Sequence, residues 1–174
     1  MTYLRHAARH VQQSVIDRVR AGLVTDGWLD HVAGAGPFGT DDVTWVATRM
    51  TESDMVAVQG NLVAVSFGTE PDDEPQELGG GVTMIGHTLF VDCVGTSESL
   101  GLSIASDVKD RLSGLMTDTS RFEPVYDYTT LPRTAVVGYQ IEFEQVARHR
   151  SEEDHKALWH TVVADVNVYF TGNE

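Results

Sequence analysis

Gly34-Ala35-Gly36-Pro37-Phe38-Gly39 has the glycine spacing of a dinucleotide-binding turn, in which backbone amides at the start of a helix meet a pyrophosphate. Its context is wrong for that chemistry. The turn needs a strand before it and a helix after it. Here a helical pattern precedes, a β-type run follows, and Pro37 removes one of the amides. The stretch reads as a loop, and no cofactor is expected. His6 and His10 stand four residues apart on a helical pattern, a spacing that could place two imidazoles on one metal ion. No third ligand is close in sequence, and Arg5 and Arg9 beside the pair oppose a dication, so a solvated or interface face is expected and no metal.

The remaining reactive groups fare no better. Cys93 lies in the apolar run Leu89-Phe90-Val91-Asp92-Cys93-Val94, where a thiol packs as a small hydrophobe, and no activating base is near it in sequence. As the lone cysteine it can form no internal disulfide. The acid pairs Asp41-Asp42, Asp72-Asp73 and Glu152-Glu153 fall in polar segments, where carboxylates stay hydrated and ionised instead of taking the separated pKa values of a general acid and base. The cluster from Arg148 to His155 mixes both signs between two strand patterns and reads as a polar hairpin loop. His87 and His160 fall within strand patterns and read as hydrogen-bonded structural residues. There is no Gly-x-Ser-x-Gly nucleophile turn and no phosphate-cradling loop. The chain is not expected to be an enzyme.

The elements carry more information than these groups. From Thr2 to about Gly22, Leu4, Ala8, Val11, Val15 and Val19 recur every three or four residues, which predicts an amphipathic helix that stops at Gly22. The segment from Leu23 to Asp42 is glycine-rich and reads as an irregular connection long enough to make contacts. Two short β-type runs follow, Val43 to Met50 and Asn61 to Phe67. An acidic excursion from Glu70 through three consecutive glycines leads to a longer strand, Val82 to Val94, expected to pair with the one ending near Phe67. Leu100, Ile104, Val108, Leu112 and Leu115 mark the buried face of a second helix, with Ser97 or Ser99 as its cap. Strands are then predicted over Phe122 to Tyr128, Ala135 to about Ala147, and Trp159 to Phe170. The last two alternate so clearly that each should have one buried and one wet face, the pattern of antiparallel sheet. The expected class is α+β: a mixed, largely antiparallel sheet packed with two amphipathic helices, as one domain over residues 1–174.

Composition agrees with that class. A chain of 174 residues with 41% hydrophobic and 22% charged content can bury roughly 70% of its unfolded surface. Acids outnumber Lys plus Arg by 26 to 12, for a formal charge of −14, which opposes wrapping a nucleic-acid backbone but suits a surface past which DNA slides. The first residues lack the apolar run of a signal peptide and no stretch is long enough to span a bilayer, so synthesis in the cytoplasm and no membrane partner are expected.

Three segments carry a resemblance: Leu4-Arg-His-Ala-Ala-Arg-His-Val-Gln-Gln-Ser-Val15, the passage from Leu89 through Gly95-Thr-Ser-Glu-Ser99 to Leu112, and Trp159-His-Thr-Val-Val-Ala-Asp-Val-Asn-Val-Tyr-Phe170. In layout and texture, over nearly its whole length, the chain resembles the tail terminator proteins of long-tailed, non-contractile (siphovirus-type) bacteriophages. The resemblance implies a six-membered ring on the head-proximal end of the tail tube, which ends tube growth and offers a joining surface to the head connector or stopper protein. It implies a virion location at the neck, with DNA passing through the lumen without specific binding. On this reading the segments at about 23–42 and 69–81 are mobile in the free protein and ordered in the ring. The interface candidates are Glu70, Asp72, Asp73, Glu74 and Glu77 of the acidic excursion, Arg5 and Arg9 of the first helix, and Trp28. The Gly-rich stretch from Val32 to Gly39 departs from a compact form of the pattern. A head-completion or stopper protein and a tail tube subunit are the rival structural roles. From other classes, a nucleotide-binding enzyme using Gly34 to Gly39 and a monomeric binding module or chaperone remain to be weighed.

Overall fold

In a computed structural model of the chain, the described residues are 7–30, 39, 41–46, 60–67, 76–117, 122–126, 131–133, 135–150 and 159–171. Among them are two helices, α1 (Ala7–Thr25) and α2 (Glu98–Thr117). Eight strands form one sheet: β1 (Leu29–Asp30), β2 (Asp42–Val46), β3 (Asn61–Phe67), β4 (Gln76–Gly79), β5 (Val82–Val94), β6 (Phe122–Tyr126), β7 (Ala135–Arg150) and β8 (Trp159–Thr171). The lateral order is β1-β2-β3-β5-β8-β7-β6, with β4 paired to β5 beside this path. The β1–β2 and β2–β3 pairs are parallel and all others antiparallel, so the sheet is mixed and largely antiparallel and the fold is α+β, as expected.

Alternation along the central strands decides which side of the sheet takes the helices. Ile85, Leu89, Val91 and Cys93 of β5 share a face with Val162, Ala164, Val166 and Val168 of β8 and with Val63 and Val65 of β3. Onto that face pack Val11, Val15, Ile16, Val19 and Leu23 of α1 and Ile104, Ala105, Val108 and Leu112 of α2, which makes one continuous core. The predicted faces of both helices are therefore the ones turned to the core, buried at Val11, Val15, Val19, Ile104, Val108 and Leu112 and half-buried at Leu100; the side chains of Ala8 and Leu115 and the whole of Leu4 lie outside the description.

Several boundaries differ from expectation. Helix α1 does not stop at Gly22 but runs three residues further, to Thr25. The stop is Gly27, whose φ of 102° gives a left-handed cap: its N–H donates to the Val24 carbonyl and the Trp28 N–H to that of Leu23. Gly22 serves close packing instead, since a Cβ there would sit 2.8 Å from Cδ of Arg111 on α2. The acidic segment expected as a loop over 69–81 contains strand β4, and its glycines form the β4–β5 turn, with positive φ at Gly79, Gly80 and Gly81. A short strand, β1, lies within the expected connection 23–42. Arg148, His149 and Arg150, expected in a loop, continue β7 because β8 supplies pairing partners as far as His160. The β3–β5 pairing appears as predicted, with Phe67 opposite Leu89.

The start of α2 is set by Ser97, whose Oγ accepts the Leu100 N–H at 3.3 Å while Glu98 occupies the first turn. Gly95 lets the chain turn from β5 into this helix. A Cβ at position 95 would lie 2.1 Å from the Gly101 nitrogen and 2.7 Å from the Ser97 carbonyl oxygen, both backbone atoms that cannot move aside. Gly95→Ala is therefore expected to cost about 3 kcal/mol or more of stability, seen as a lowered denaturant midpoint at unchanged m-value. A midpoint within error of wild type would show that the turn is not so constrained.

Candidate functional site

Each chemical candidate can be followed to its place. His10 is not on a solvated face: it is buried on α1, because the helix turns it inward beside Val11 against the core, and its carbonyl accepts the Ser14 hydroxyl at 2.7 Å. His6 lies outside the described residues, as do residues 31–38 of the glycine-rich stretch. Gly39 is followed by strand β2, not a helix, and its amide donates to the Asp42 carboxylate at 2.8 Å. Cys93 is fully buried; burial, and then the negative charge of Asp92, push its thiol well above the ordinary range, so it stays protonated. His87 and His160 are buried within β5 and β8. No group of three or more His, Cys, Asp or Glu residues able to hold a metal is present among the described residues. No helix among them is long and apolar enough to cross a membrane.

Trp28, expected at an interface, is only 8% exposed and belongs to the core. The cap at Gly27 folds the chain back so that the indole packs with Leu23 while its Nε1–H donates to Oδ2 of Asp107 on α2 at 2.7 Å. Beside it, Arg111 of α2 donates through Nε to Oδ2 of Asp26 at 2.8 Å and through Nη2 to Oδ1. These bonds clasp the end of α1 to the middle of α2. Between the helices lies an open groove of about 390 Å³, with Arg18, Gly22, Thr25, Asp110 and Arg111 among its lining residues. The hydrogen bonds from Arg111 hold the Asp26 carboxyl below its usual range, a shift that its slight burial partly opposes.

The second face of the sheet is not uniformly wet. Leu62, Ala64 and Val94 are buried there, with Val46 and Trp159 packed against them. Asp92, 3% exposed, accepts the Trp159 indole N–H at 3.0 Å and the Thr161 hydroxyl at 2.7 Å. Glu142, placed on the wet side by its alternation, is 8% exposed and accepts the Tyr169 hydroxyl at 2.5 Å. Polar alternation alone does not reveal this, because each carboxylate is satisfied by a residue distant in sequence. Both acids serve as acceptors for neighbouring side chains, a structural use.

Of the acidic interface candidates, Glu77 is exposed on β4 next to Leu78, which is itself 54% exposed. Glu70, Asp72, Asp73, Glu74 and Arg5 lie outside the described residues. Arg9 is on α1, with its side chain outside the description. Sequence reasoning passed over Leu131, 89% exposed between β6 and β7 and close in sequence to Arg133, whose Nη1 donates to Asp17 of α1 at 2.6 Å. The signal available was Leu131-Pro132-Arg133, an apolar residue in an otherwise polar turn. Among the described residues the arrangement therefore offers Glu77 on β4 beside the exposed Leu78, and the exposed Leu131.

Two consequences are measurable. Asp92→Ala leaves a half-buried indole N–H and hydroxyl without their acceptor and should cost about 1–3 kcal/mol in chemical denaturation, whereas Asp92→Asn, which keeps a carbonyl acceptor, should cost clearly less. Equal losses would mean that charge rather than hydrogen bonding matters there. For Asp26 the folded pKa is the lower one. Its small stabilising effect is present above the ordinary value of 3.8 and is lost as pH falls through the folded value. The denaturant midpoints of wild type and Asp26→Asn should differ slightly at neutral pH and converge in acid; a gap that persists in acid would contradict the pairing.

A chain of a native gene transfer agent virion particle is similar to this one among solved structures: it is 17% identical, the similarity covers 98% of this chain and 100% of that chain, and the TM-score is 0.44. No protein-family model and no curated protein matches the chain.

Proposed function

We propose that this protein is a structural component of a phage-like virion, forming a ring at the head-proximal end of a tail tube that ends tube polymerisation and presents a joining surface to the head connector. The observation that supports this reading is the length of the central strands. Strand β7 has 16 residues and β5 and β8 have 13 each. At about 3.3 Å per residue β7 reaches ~50 Å, whereas the 20 residues of α2 reach ~30 Å. Strands this much longer than a helix suit a subunit that meets its neighbours along the sheet. The three sequence segments that resemble tail terminators supply α1 from Ala7 onward, the β5-to-α2 passage, and β8. These elements touch one another in one core, so the resemblance falls on the framework and not on scattered surface.

Ending a polymer requires an asymmetric subunit. One face of the ring must complement the last tube ring, and the other must fail to template a further tube subunit while accepting the connector. The formal charge of −14 suits a lumen that repels phosphate and lets DNA pass without specific binding. The acidic excursion, including Glu70, Asp72, Asp73, Glu74 and Glu77, is assigned to the assembly surface with Arg5 and Arg9; Trp28 is left to the core.

Imaging purified protein mixed with its tail tube protein tests the role. A six-fold ring capping one end of each tube is the expected outcome. Many stacked rings would make the chain a tube subunit, and binding to the connector without binding to the tube would make it a stopper. Removing residues 70–81 should give tails of abnormal length or tails that fail to join heads; normal, joined tails would sink the assignment of that segment.

A further inference from the structure

We draw no further inference here: the strongest candidate, the open groove of about 390 Å³ between α1 and α2, sets Arg18 and Arg111 against Asp110 and the Asp26 that Arg111 already binds, so its charges offset one another and nothing in the structure shows what covers it.

Discussion

The pairing of β5 with β8 is the constraint on which the rest depends. It runs without a break from Val82 opposite Thr171 to Val94 opposite Trp159. It sets Ile85 opposite Val168, Leu89 opposite Ala164 and Val91 opposite Val162, all on the helix-facing side. A slip of one residue would turn every one of these to the other face, so the apolar pattern and the register enforce each other. Every other strand is placed by reference to this pair: β3 and β4 lie successively along one edge of β5, and β7 lies along the far edge of β8.

The helices close the core by a local lock. The Gly27 cap turns Trp28 back under Leu23, and bonds to Asp107 and from Arg111 to Asp26 join α1 to α2 at that turn. Because the exposed Arg111–Asp26 pair contributes little by itself, the indole and its buried packing are the stronger part of the lock. Helix α1 reaches the other margin as well, through Gln12, which donates to the Val65 carbonyl at 2.5 Å, and Ser14, which caps β6. The same helix thus packs into the core and reaches β6 at one end of the strand order.

The fold also uses polar residues as internal ties. Asn61 donates to the Asp42 carbonyl at 3.1 Å and accepts the Thr96 N–H at 3.0 Å, which fastens the starts of β2 and β3 to the turn leading into α2. Asp92 and Glu142 do the same across β5–β8 and β7–β8. Burial makes these contacts count for more than surface contacts of the same kind.

Class, both helical faces, the β3–β5 partnership and the alternation of the last strand were legible in the chain itself, because helical and strand periodicities are local and Val11, Val15, Ile104 and Val162 obey them. What local pattern could not supply was partnership across distance. Trp28 looked available for an interface until Asp107, far along the chain, took its indole, and Gly22 looked like a helix stop until Arg111 needed the space. Strand β4 was hidden in an acidic segment because its pairing comes from β5 and not from its own propensity. Lateral order and register exist only once strands distant in sequence have met, because each ladder hydrogen bond needs its partner strand in place, so they were decided by the tertiary structure and not by local pattern.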